Sequence, residues 1–339
     1  MKLKMVTVSA LTTDHSWITI SIVGISVYWI LRKLAANLKV FGLHYKAVFL
    51  TSCDGGYGRE IALRCVSKGI PVYAGCVRAE SCRSLEEAAR YAKGRLVPVQ
   101  FDITSAESVE SAVEFVRNDL PPKTKLWALL NTNEQPHVET SEDRQSNDEF
   151  KSLMELNYCG GVRCTHAFLP LIKSSRGRIG IIQQISGNLL MPWGSTFAGA
   201  HKMALGTYIE FIASELQHYK MKFAIFEPGV STSALLCQEA IRERADFAWN
   251  KMSPNLRREL GDEYKVKLLK HWSSVLDMHS NADTRNVVNA ALHFVTARFP
   301  RTNYKCGPSV IWRTIYLMLL NFVNTIKSSC TSKLKGKEL

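Results

Sequence analysis

The sequence lacks several things that would narrow its function at once. It has no Asn-x-Ser/Thr sequon, as expected of a domain facing the cytosol. Its nine cysteines are an odd number without metal-like spacing, which argues against a disulfide framework and a zinc site. Neither end holds the roughly 20-residue uncharged span that a full membrane crossing wants. The middle of the chain also lacks net charge. Of the formal +13, residues 1–46 carry +5 and residues 301–339 carry +6, leaving +2 on residues 47–300. A nucleic-acid-binding domain needs a basic body, so nucleic acid is not expected as a partner. With 46% hydrophobic and 22% charged residues there is ample material for a core.

Both basic ends are also apolar, a combination suited to an anionic membrane surface. Trp17 to Leu31 runs fifteen residues without charge and closes on Arg32-Lys33. It reads as an uncleaved anchor, with a buried or interfacial helix as the alternative. Cations are denser after it than before, which places the main domain on the cytosolic side. Trp312 to Ile326 reads as an interfacial helix or second membrane contact. The closing Lys335-Gly-Lys-Glu-Leu339 resembles a dilysine retrieval signal of endoplasmic reticulum membrane proteins. The expected division is an anchor and linker over 1–44, a catalytic-type domain over 45–310 and an apolar, basic tail over 311–339.

Between the ends, short apolar runs alternate with helical patterns. Strands are expected at Tyr45–Thr51, Pro71–Val77, Leu96–Ile103, Trp127–Asn131, Ile179–Ile185 and Lys222–Gly229. Helices are expected to Lys68, near Ser84–Lys93, to about Leu120, ending near Asn157, to about Lys173 and around His201–Tyr219. This alternation predicts an α/β fold: a Rossmann-type, doubly wound parallel sheet. Residues 233–280, charged and aromatic, read as a helical substrate lobe or lid.

The first strand runs into Thr51-Ser-Cys-Asp-Gly-Gly-Tyr-Gly58, a glycine-rich loop opening a helix. Gly56 and Gly58 permit close backbone approach to a pyrophosphate, and the helix N-terminus offers N–H groups and positive dipole. This loop resembles the Thr-Gly-x-x-x-Gly-x-Gly of the short-chain dehydrogenase/reductases, with Ser52 in place of the first glycine. The resemblance continues over residues 45–310 through Asp102 in FDIT, Asn157 in ELNYCG, FLPLI, GRIGII and EPG at Glu227–Gly229. It resembles the branch holding retinol, hydroxysteroid and 3-hydroxybutyrate dehydrogenases. The resemblance implies a nicotinamide cofactor at Thr51, Asp54, Gly56, Tyr57, Gly58, Arg78, Asp102 and Asn131. It also implies homodimers through the long helices. Asp54 would repel a 2′-phosphate and points to NAD; Arg78 leaves NADP open.

Catalysis in that family uses a Ser, a Tyr and a Lys four residues after the Tyr. The tyrosine exchanges a proton with the substrate oxygen while nicotinamide exchanges a hydride. With Gly187 and Pro192 as anchors, those positions hold Gln184, Phe197 and His201, beside the expected helix-four Asn157. A one-residue shift brings in Lys202 but puts Ala198 at the tyrosine position. The Asn-Asn-Ala-Gly turn becomes Asn131-Thr-Asn-Glu134. Phe197 cannot carry a proton, so either the chemistry is lost or its roles have moved. His201 can carry a proton, Gln184 can hydrogen-bond a carbonyl, and Ser186 or Ser195 lies nearby in sequence. The plainer alternatives are that His201 fills the lysine's place in a helix and that Lys202 is solvated. Two functions remain open. One is a membrane-attached oxidoreductase for a lipophilic alcohol or ketone such as a sterol or retinoid. The other is a catalytically inactive nucleotide- or lipid-binding scaffold.

Overall fold

A computed structural model describes residues 20–27, 38–133, 147–183, 196–228, 252–261, 263–267 and 284–306, with isolated positions between 242 and 270. Within these ranges the side chains of Glu149 and of residues 196–202 are left undescribed.

Seven strands form one sheet: β1 (Lys46–Leu50), β2 (Val72–Cys76), β3 (Leu96–Gln100), β4 (Lys125–Asn131), β5 (Arg178–Ile182), β6 (Lys222–Glu227) and β7 (Asn303–Lys305). Their order is β3-β2-β1-β4-β5-β6-β7, and every pairing is parallel. The helices are α1 (Gly56–Ser67), α2 (Ala79–Ala89), α3 (Ala106–Asp119), α4 (Asn147–Met154), α5 (Gly160–Ser175), α6 (Thr196–Glu215), α7 (Pro254–Leu260) and α8 (Arg285–Thr296).

The strands are apolar on both faces because helices cover both. In β1, Val48 and Leu50 meet Ile61 and Val66 of α1 and Phe294 of α8. Ala47 and Phe49 turn the other way, toward Val109 of α3, Phe168 of α5 and Ile209 of α6. Burying a side chain of this size contributes about 1.5–3 kcal/mol, so the two layers supply the main stabilisation. The sheet therefore has two distinct ends: strands begin at one and finish at the other.

Several boundaries differ from those the sequence suggests. The helix expected at Ser84 begins at Ala79, because Arg78 offers no side-chain cap to mark the start. The helix expected to end near Asn157 instead continues through a π-turn, Glu155–Cys159, into α5. The helix expected from His201 begins at Thr196. The seventh strand has no sequence signature: three residues with only Tyr304 buried carry no apolar run. Among the described residues no helix is long and apolar enough to cross a membrane. Of Trp17–Leu31 only 20–27 is described, as an exposed helix; Trp312–Ile326 and the tail lie outside the described residues.

Candidate active site

The strand order reverses between β1 and β4, and the crevice at such a switch point, outside the carboxyl ends of the strands, is where an open α/β sheet holds its ligand. The glycine-rich loop leaves β1 there and the Asn131–Asn133 turn leaves β4 beside it. The two are clasped together. Thr51 N–H donates to the Leu130 carbonyl (3.1 Å), and Thr132 N–H donates to Thr51 Oγ1 (3.0 Å). Thr51 Oγ1 also lies 3.3 Å from Asn131 Oδ1 and within reach of the Asn133 side chain. One hydroxyl proton serves only one of those acceptors at a time.

Ser52, the departure from the glycine pattern, is held by backbone alone. Its N–H donates to Thr132 Oγ1 (3.1 Å), which donates to the Ser52 carbonyl (2.9 Å). Thus Thr132, itself a departure in the second turn, anchors the first. Gly58 rides on this contact: a Cβ there would sit 1.6 Å from the Ser52 carbonyl oxygen. Gly56 has φ +54°, in the left-handed region that glycine adopts readily. No side chain caps α1 and no acid stands in its first turn. The loop and helix start therefore fit a pyrophosphate: glycine where backbone must approach, positive dipole where negative charge would lie.

Asp54 closes the turn after β2. It accepts from the amides of Val77 (2.8 Å) and Arg78 (3.0 Å), and the Arg78 guanidinium stands 3.5 Å away. Burial works to raise its pKa, but the Val77 and Arg78 amides, Ser81 and the Arg78 charge together hold it below the ordinary value. Arg59 reaches the same region, donating to Ser84 of α2. Burial keeps the neighbouring Cys53 and Cys76 thiols protonated and raises Cys65 to about 12, so these are core residues rather than nucleophiles.

Asp102 is exposed beyond β3, its carboxylate accepting from Thr104 N–H (2.9 Å) and hydroxyl (2.7 Å). Asn131 is buried at the end of β4, its side chain against Gly161 of α5, where a Cβ would meet Nδ2 at 2.6 Å. Asn157 lies in the π-turn and donates from Nδ2 to the Leu153 carbonyl (3.1 Å). Such turns recur at functional positions because they re-aim side chains without ending the helix. Arg163 fixes this one by bonding Glu155 (2.5 Å) and the Ile103 carbonyl (2.8 Å), tying α5 to the loop bearing Asp102.

Thr51, Asp54, Gly56, Tyr57, Gly58 and Asn131 thus gather at the switch point, with Arg78 bonded to Asp54 and Asp102 beyond β3. Gln184, Ser186, Gly187, Pro192 and Ser195 lie outside the described residues or, for Phe197, His201 and Lys202 in α6, have side chains outside the description. Glu134 also lies outside the described residues. The motif alone does not disclose Thr132 and Asn133 as partners of Thr51; their place just beyond a strand end is the available signal. Nor does it disclose Gln183, buried after β5 against Gly206 of α6.

A family model described as short chain dehydrogenase matches residues 46–246. A 3beta-hydroxysteroid dehydrogenase of Caenorhabditis elegans is 31% identical over 297 residues, covering 86% of this chain and 75% of its own. Retinol dehydrogenase 16 of Mus musculus is 28% identical, covering 84% and 87%. Among solved structures, NAD+-bound xylitol dehydrogenase superposes with a TM-score of 0.62 at 17% identity, covering 78% of this chain and 98% of that one.

Proposed function

Because the chain belongs to the short-chain dehydrogenase/reductase family, we propose that it is a membrane-attached dehydrogenase using NAD to interconvert a lipophilic alcohol and ketone through an atypical site. A sterol or retinoid is the substrate class favoured by the hydroxysteroid and retinol dehydrogenases it resembles. The observation that carries the reading is the clasp of Thr51, Ser52 and Thr132 beneath Gly58 at the switch point. Nicotinamide, when bound, supplies the hydride acceptor or donor. The backbone at Gly56 and Gly58 and the start of α1 would hold the pyrophosphate. The ionised Asp54, drawing the Arg78 guanidinium to itself, favours a ribose diol over a 2′-phosphate, hence NAD over NADP. Asn157 orients a water or substrate oxygen, Gln184 donates a hydrogen bond to that oxygen, and His201 carries the proton that Phe197 cannot.

The apolar segments at Trp17–Leu31 and Trp312–Ile326 attach the chain to the endoplasmic reticulum membrane, with the domain on the cytosolic side and Lys335 and Lys337 as its address. Exposed Phe211 (74%) and Met203 (50%) on α6 suit a homodimer contact. A second reading is favoured by Phe197 alone: a protein that holds a nucleotide or lipid without turnover. Titration of NADH and NADPH by fluorescence, followed by sterol and retinoid assays, separates the two. Turnover lost in His201→Ala supports relocated chemistry, and turnover unchanged in both His201→Ala and Gln184→Ala sinks it. Binding without turnover favours the second reading, and no binding of either cofactor overturns the first and leaves of the second only a lipid-holding protein.

A further inference from the structure

The end of the sheet at which the strands begin is built from seven segments: residues 38–46, 68–72, 90–96, 120–125, 176–178, 216–222 and 297–303. They contain fourteen Lys and Arg residues and no Asp or Glu. Eleven of those cations fall within residues 47–300, whose net charge is only +2, so the rest of that stretch carries −9. The charge is present in the body of the protein after all, but gathered at one end. Among the described residues Arg95, with Asp119 of α3 at 2.9 Å, is the one cation of the set that pairs with a carboxylate. Lys46 is crowded by its own kind: burial first, then Arg178 and Lys125, lower its pKa.

Cations near helix C-termini are ordinary complements to the helix dipole, and that accounts for Lys68, Arg90, Arg176 and Lys220. It does not account for the aromatics among them. Phe41 (89% exposed), Tyr45 (45%), Tyr91 (91%), Tyr219 (38%) and Phe299 (54%) make five of the seven exposed aromatics among the described residues. Arg90 lies over Tyr91 and Arg298 over Phe299. Aromatic rings interleaved with cations suit the boundary between lipid headgroups and acyl chains. The chain also joins the folded body here: Val40 N–H donates to the Thr296 carbonyl (2.8 Å) and Arg298 N–H to the Leu38 carbonyl (2.7 Å). Upstream, Ile20, Ile22, Val23, Ile25 and Val27 are all about half exposed or more, an apolar helix suited to lipid rather than to nucleic acid.

We propose that this end docks on an anionic bilayer, leaving the opposite end and the Thr51–Thr132 clasp facing away from it. The proposal rests on the membrane attachment above and adds the face and the lipid charge that the attachment uses.

The test uses the full chain with phosphatidylcholine vesicles, with and without phosphatidylserine. Each cation near such a surface contributes about fivefold in partition. The triple variant Lys93→Glu/Lys123→Glu/Arg298→Glu is therefore expected to lose at least roughly a hundredfold on the anionic vesicles. A control of equal charge change elsewhere, Arg83→Glu/Lys151→Glu/Lys305→Glu, is expected to lose little. In the unmodified chain, hydrogen exchange in residues 90–95, 120–125 and 297–302 slows on the anionic vesicles, a readout that needs no variant. No binding to either vesicle overturns the attachment and the docking face together. Equal binding to both vesicles, without protection of those loops, overturns the docking face alone and leaves the attachment standing. Protection of the same loops by a single-stranded oligonucleotide, with no gain from phosphatidylserine, overturns it in favour of nucleic acid.

Discussion

On the site assignment proposed above, the nucleotide half, from β1 to the turn after β4, and the chemical half, from α4 through α6, depart from the family pattern in different ways. Ser52 and Thr132 both depart from that pattern, yet they bond to one another and Gly58 still packs on the result. Holding a dinucleotide is largely a matter of backbone shape, which a new side chain can preserve. Moving a proton depends on one atom of one side chain, and Phe197 has no such atom. On that assignment, substitutions therefore have unequal consequences in the two halves.

The strongest attempt to break this comparison is Phe197→Tyr/His201→Lys, which rebuilds the proton-carrying pair. If the site has no proton carrier, it is expected to raise kcat by about 10²–10⁴ in sterol or retinoid assays, with little change in NADH affinity; if His201 already carries the proton, the gain is small. Gly58→Ala strikes the other half. Its Cβ collides with the Ser52 carbonyl, so NADH binding is expected to fall by at least about a hundredfold, with a lower Tm. Thr132→Val removes both bonds to Ser52 and is expected to cost about 1–3 kcal/mol, measured by denaturant unfolding.

The smallest effect is pH-dependent. Asp54 has a folded pKa below its unfolded one, so its contribution is complete above the unfolded value and is lost as pH falls through the folded one. Asp54→Asn is expected to lower Tm near neutrality, and its gap from the unmodified protein to close in acid. The same variant should improve NADPH binding relative to NADH.

The parallel sheet is legible in the sequence because its strands are buried on both faces and read as continuous apolar runs, as in KAVFL and RIGII. β7 is not, since it borrows its place from pairing with β6 rather than from its own composition. The π-turn at Asn157 is hidden because its residues suit an ordinary helix. In the site, glycine positions can be read from spacing, whereas Thr132 acts through contacts 80 residues apart in sequence. The basic end is invisible to a running sum of charge, because seven separate segments build it and acidic helices elsewhere cancel it.

That every strand points the same way gives the molecule a head and a foot. A strand of five residues rises about 17 Å, so the cofactor clasp stands at least that height above the place where the chain enters. If the foot docks on lipid as proposed, a lipophilic substrate dissolved in the bilayer would not meet the clasp directly. It would have to climb the outside of the domain or arrive by a carrier, which would make delivery, as much as hydride chemistry, a step on which selection can act.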